Sequence, residues 1–187
     1  FRHDPDLAAF VADRGLDCCL MHMLGEPRTM QRDPRYDDVV AAVGAFLSQR
    51  LDFAVAQGIA EQRVWLDPGI GFGKTIAHNL ELLARLHELV ALGRPLVIGT
   101  SRKSFLGRLT GRGPLERVPA TIATNVLAYA AGARVFRVHD VAEARDALLV
   151  AAATLRGRWA LPTTSATTSP TTTTTSTTRT STPSGRS

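Results

Sequence analysis

Four short apolar runs, each closing on polar residues, limit what this chain can fold into: residues 17–22, 63–67, 95–100 and 134–140. Runs of that length read as buried strands, and the stretches between them carry helical spacing. Residues 36–57 place Val39, Val43, Phe46, Leu47 and Phe53 near one face, and 79–92 do so with Leu82, Leu83, Leu86 and Leu89. Residues 117–131 are Ala-rich and mostly apolar, 141–155 carry Ala144, Leu148, Leu149 and Ala152, and 7–14 read as a short leading helix. The order α-β-α-β-α-β-α-β-α is that of a parallel sheet with crossover helices, an α/β protein. Two architectures fit it: a small doubly wound open sheet, or about four βα units of a (β/α)8 barrel of roughly 250 residues.

Strand ends fall near His22, Asp67, Thr100 and His139, at spacings of 45, 33 and 39 residues. Ligands of parallel α/β proteins sit at the carboxyl ends of the strands, and each of these ends carries chemistry. Composition narrows the rest. The last 25 of the 187 residues, from Thr163, hold 13 Thr and 6 Ser. Such a segment buries too little apolar surface to offset its ordering entropy, so residues 161–187 are expected to form a disordered tail behind a domain of 1–160. Of the net charge of +5, two come from Arg179 and Arg186 of the tail; the remaining basic residues are dispersed without a long Lys/Arg run or interleaved aromatics, which argues against nucleic acid as partner. No apolar run reaches 18 residues, so no membrane span is expected. Cys18 and Cys19 are sequence neighbours and point to opposite faces of a strand, badly placed to pair. With no leader-like pattern at Phe1, a reducing cytoplasm is the expected compartment.

Asp67-Pro-Gly-Ile-Gly-Phe-Gly-Lys74 ends an apolar strand on an acid that can accept two hydrogen bonds from a guanidine-like edge. Its alternate glycines let backbone approach a flat ligand. The phosphate-loop and dinucleotide patterns both fail on spacing. The plainer alternative is a strand-to-helix turn with Asp67 as a cap. Gly99-Thr-Ser-Arg-Lys-Ser-Phe-Leu-Gly107 runs from a strand end into a helix start, with Ser101 a candidate N-cap and Arg102 and Lys103 favouring an anion. Arg137 and His139 lie two apart and share a strand face, two donors suited to a phosphate or diphosphate. Met21 and Met23 offer a soft wall for an aromatic ligand, or plain core. His22, His78, His87 and His139 are too dispersed for a zinc site.

Taken together, Leu20-Met-His-Met23, Gly25-Glu-Pro-Arg-Thr-Met-Gln31, Asp67–Lys74, His78-Asn-Leu80, Gly99–Ser104 and Arg137-Val-His-Asp-Val141 resemble dihydropteroate synthase over about Phe1 to Leu155. The resemblance implies a (β/α)8 barrel, of which this chain would supply strands five to eight. It implies condensation of 6-hydroxymethyl-7,8-dihydropterin diphosphate with p-aminobenzoate, giving 7,8-dihydropteroate and diphosphate in folate biosynthesis. By family role, Asp67 holds the amino-pyrimidinone edge of the pterin, and Lys103 hydrogen-bonds the pterin beside the aminobenzoate. Arg137 stacks on the pterin and with His139 holds the diphosphate, and Val138 is a further substrate-binding position. Met21, Phe72 and Gly99 line the pterin slot, while Ser101 or Ser104 with the following helix start receives the benzoate carboxylate. The resemblance also implies Mg²⁺, whose ligand belongs to the amino-terminal half of the barrel, and frequent homodimers. The family's first four strands have no counterpart in this sequence, so negligible turnover is expected of the chain alone. Two other readings are a half-barrel that self-associates or binds pterin weakly without turnover, and a pterin-binding methyltransferase domain.

Overall fold

The β-strands form because apolar residues at alternate positions find the same cover. A computed structural model describes residues 1, 4 and 6–157. The expected tail at 161–187 lies outside the described residues. Helix α1 (Leu7–Asp13) precedes β1 (Cys18–Met21), α2 (Val39–Ala56), β2 (Val64–Asp67), α3 (Ile76–Ala84), α4 (Leu86–Val90) and β3 (Val97–Ile98). The chain continues through α5 (Ser104–Thr110), α6 (Val118–Ala130), β4 (Val135–Phe136) and α7 (Val141–Arg156).

Strand β1 pairs in parallel with β2, and β3 in parallel with β4. A parallel bridge between Leu66 and Leu96 joins the two pairs, with the Leu66 N–H donating to the Pro95 carbonyl at 3.0 Å. The spatial order is therefore β1-β2-β3-β4, the order of the chain, with no reversal of the kind a doubly wound sheet contains. Among the described residues, β1 and β4 have no strand partner on their outer sides.

Register and the two-residue strand period sort the side chains into two faces. Leu20, Val64, Leu66, Leu96 and Ile98 share one face and are all buried. That face is covered chiefly by Val39, Val40, Val43 and Leu47 of α2, with Leu82, Leu86 and Leu89 behind. Cys19, Met21, Trp65, Asp67, Val97 and Val135 occupy the other face, and Gly99 and Arg137 continue it beyond the strand ends. Helix α2 starts on an effective cap: Asp38 accepts from the N–H groups of Val40 and Ala41 at 2.8 and 2.9 Å. By length and composition α2 could cross a bilayer, where the sequence leads one to expect no span. It carries Arg50 and Asp52, however, and its apolar stripe is spent on the sheet.

Three local expectations need correction. The helix expected over 79–92 is two, broken at Arg85, whose guanidinium is bonded to Glu81, Glu88 and Asp38. The residue capping α3 is Thr75, in a reciprocal box with His78, so Asp67 is not a helix cap. Helix α5 begins at Ser104 after Lys103, and Ser101 caps nothing; its hydroxyl is engaged by His139 instead.

Because Leu66 is fully buried at the joint between the two strand pairs, Leu66→Ala is expected to lower the unfolding free energy by about 2–5 kcal/mol in urea titration. Leu155→Ala, at an exposed position, is expected to stay within about 0.5 kcal/mol.

Candidate functional site

The sheet delivers Asp67 to a nearly dry position. It is the last residue of β2, its side chain is buried, and its Oδ1 accepts the Gly69 N–H at 2.7 Å. Its Oδ2 lies 4.0 Å from the Arg137 guanidinium. Burial pushes the Asp67 carboxyl above the ordinary carboxylate range, while the Gly69 N–H, Lys103, Arg137 and Lys74 pull it back. Arg137 reaches across the sheet because the residue beneath it is Gly99. A Cβ there would come within 2.8 Å of the guanidinium.

The loop after β2 is locked from several sides. Gly69 has φ +66°, and a Cβ on it would overlap the His22 carbonyl oxygen. The buried Lys74 amine is bonded to the Gly69 carbonyl at 3.1 Å, the Phe72 carbonyl at 3.0 Å and His22 Nδ1 at 2.9 Å. Burial lowers the Lys74 pKa to about 7, against the opposing pull of Asp67. Asn79 accepts the Gly71 N–H at 2.7 Å, and Tyr36 donates to the Gly73 carbonyl at 2.8 Å. Lys103 donates to the Ile70 carbonyl and holds its amine 4.4 Å from the centre of the Phe72 ring. Burial lowers its pKa to about 8, with Asp67 raising it and Arg137 lowering it further.

Of the residues singled out from the sequence, Asp67, Lys103, Arg137, Phe72 and Gly99 converge at one end of the sheet, and Met21 stands beside Asp67 in register. Ser101 and His139 are joined to each other: Oγ and Nδ1 are 2.8 Å apart, and the His139 N–H donates to Oγ at 3.1 Å. That spacing suits a nucleophile and its base, but Asp140, which could orient the imidazole, is held by Arg102. Ser104 is exposed at the start of α5 and lines a cavity of about 580 Å³ with Gly71, Lys74, Phe105 and Arg108. Val138 is half-buried between Arg137 and His139.

The sequence reading missed Lys74 as a structural cation, and it missed the Arg102–Asp140 pair that ties the β3 and β4 loops together. Arg102 takes φ 57° and donates its N–H to Thr121 to do so. The only available trace was that Lys74 closes a loop rich in backbone carbonyls and Asp140 follows a strand end. What the arrangement can do chemically follows from its charges. A buried carboxylate can take the N–H edge of a flat heterocycle while cations beside it hold an anion.

Replacing Gly69 by Ala is expected to cost more than about 1 kcal/mol in chemical denaturation, since strain is added to a backbone overlap. Gly93→Ala is the control: its φ is also positive at +77°, but nothing lies within 4 Å, so only the strain remains.

Comparison with known proteins agrees in one direction. A pterin binding enzyme family pattern matches residues 1–139. The dihydropteroate synthase of Escherichia coli strain K12 is 44% identical over 155 residues, covering 83% of this chain and 55% of that protein. That of Neisseria meningitidis serogroup B is 49% identical over 149 residues, covering 78% and 52%. Among solved structures, Yersinia pestis dihydropteroate synthase with a sulfonamide drug superposes with a TM-score of 0.79 at 43% identity, over 82% of this chain and 56% of that one. The Thermus thermophilus enzyme in complex with 4-aminobenzoate gives 0.77 at 45% identity, over 81% and 62%. The chain thus spans about half the length of the curated relatives it matches.

Proposed function

The chain belongs to the pterin-binding enzyme family, and we propose that it is the carboxy-terminal half of a dihydropteroate synthase barrel, carrying the pterin and diphosphate contacts. The observation that carries this reading is the placement of one buried carboxylate, Asp67, within reach of Lys103 and Arg137 at the carboxyl end of a parallel sheet whose strands follow chain order. Four such strands make half of an eight-stranded barrel.

In this reading Oδ2 of Asp67 accepts N–H groups of the pterin edge. Lys103 and Phe72 flank the ring, and Met21 and Gly99 leave room for it. Arg137, with His139 beside it, takes the diphosphate. The C–O bond to diphosphate breaks with its electron pair leaving on oxygen. Positive charge then spreads from the CH₂ into the ring, where Asp67 opposes it. The amine of p-aminobenzoate, with its carboxylate toward Ser104, forms the new C–N bond and loses a proton. No protein nucleophile enters, so the Ser101–His139 hydrogen bond orients the imidazole rather than activating the hydroxyl. Among the described residues no three His, Cys, Asp or Glu side chains come together as a metal-ion cluster.

One further observation favours self-association beside pterin binding. Leu127 of α6 and Leu149, Val150 and Leu155 of α7 are exposed. A second copy would cover part of that surface. Sedimentation of the full chain is expected to show a discrete dimer; a sharp monomer at all concentrations would remove this reading.

Fluorescence titration of the full chain with 6-hydroxymethylpterin is expected to saturate, and Asp67→Asn to weaken binding at least about tenfold, on the order of 1.4 kcal/mol. Unchanged affinity in that variant would overturn the assignment. Acid should also weaken binding. The carboxylate must be ionised to accept N–H donors, so affinity falls as pH drops through the raised Asp67 midpoint. Asp67→Asn is expected to lose that acid limb.

A further inference from the structure

We propose that Lys74 is the positioning residue of this site, holding the Asp67 carboxylate in place and ionised through the Gly69 backbone that both contact. The N–H of Gly69 donates to Asp67 Oδ1 at 2.7 Å, and its C=O accepts from Lys74 Nζ at 3.1 Å. The Gly69 backbone thus carries a carboxylate on the N–H of one peptide and an ammonium on the C=O of the next, so both charges bear on the same short stretch of main chain. With Oδ1 occupied in this way, Oδ2 is the oxygen left facing Arg137.

Lys74 itself is built in. The residue is 4% exposed, and its amine donates to Gly69 O and Phe72 O and lies 2.9 Å from His22 Nδ1. The two carbonyls accept from the amine, and His22 Nδ1 is its third polar neighbour, so each of the three directions around Nζ is engaged. Such an anchor ties the tip of β1 to both ends of the Gly69–Phe72 turn. The charged and titratable groups facing Asp67 are Lys74 and the Gly69 N–H from its own loop, Lys103 from ahead of α5, Arg137 from the end of β4, and Cys19 from β1. Lys103 and Arg137 lie on the ligand side and would be shared with a bound anion. Lys74, 4% exposed, acts on the carboxylate through the Gly69 backbone, and its charge influence on Asp67 is smaller than those of Lys103 and Arg137. Its lowered pKa, about 7, fits a buried amine whose main opposing influence is Asp67.

This inference deepens the pterin-site reading and rests on it only for what Asp67 does. Its test uses no ligand, so a failure to bind pterin and a failure of this coupling are separate results. Carbon-13 NMR of the full chain follows the Asp67 carboxyl, assigned by its loss in Asp67→Asn, and the Lys74 side-chain Cε. In Lys74→Met the Asp67 midpoint is expected to move to higher pH, because a cation has gone. In Asp67→Asn the Lys74 midpoint is expected to fall below the value of about 7, by the same free energy. Should Lys74→Met not fold, the amine midpoint in Asp67→Asn decides alone. A Lys74 that only fills space moves neither midpoint, and either that result or a shift of one group without the other overturns the proposal.

Discussion

A carboxylate taken out of water at the tip of β2 sets the terms for the rest of this structure. Desolvation disfavours its charge, and the surrounding loops are arranged to oppose that: one backbone N–H at 2.7 Å and cations from three directions. The sheet order follows from the same requirement. Neighbouring parallel strands bring Arg137 of the β4 end, Lys103 after β3 and Asp67 of β2 to one rim.

The glycine-rich loop is often read as flexible, but here it is clamped. Lys74, Lys103, Asn79 and Tyr36 each satisfy at least one of its backbone groups, and the His22 carbonyl leaves no space for a side chain on Gly69. Glycine at these positions supplies positive φ and close approach, with rigidity coming from the side chains that bond to the exposed backbone. The long segment between β1 and α2 has a structural use in this arrangement, since it contributes the Tyr36 and Gln31 contacts to the loop.

Much of this was legible in advance. The strand end at Asp67 could be placed because a short apolar run stops there, whereas β3 ends at Ile98 and β4 at Phe136, short of the ends read at Thr100 and His139; Arg137 turns over Gly99 toward Asp67 and His139 toward Ser101. The resemblance to dihydropteroate synthases agrees with the relatives found, while the individual roles of the site residues rest on the proposal made for them. The break at Arg85 was not legible, because a helix carrying Leu82, Leu86 and Leu89 on one stripe looks continuous in sequence. Ser101 looks like a cap because it precedes a helix. Its hydroxyl goes instead to a histidine 38 residues further on, and nothing local announces such a partner.

By itself the sequence determined the α/β alternation and the family, since both depend on residue type and spacing along the chain. Tertiary structure decided which strand tips meet, that Lys74 turns inward behind Asp67, and that Ser101 belongs to His139. Those outcomes depend on distances between segments brought together by sheet register and loop closure, and one-dimensional spacing does not encode them.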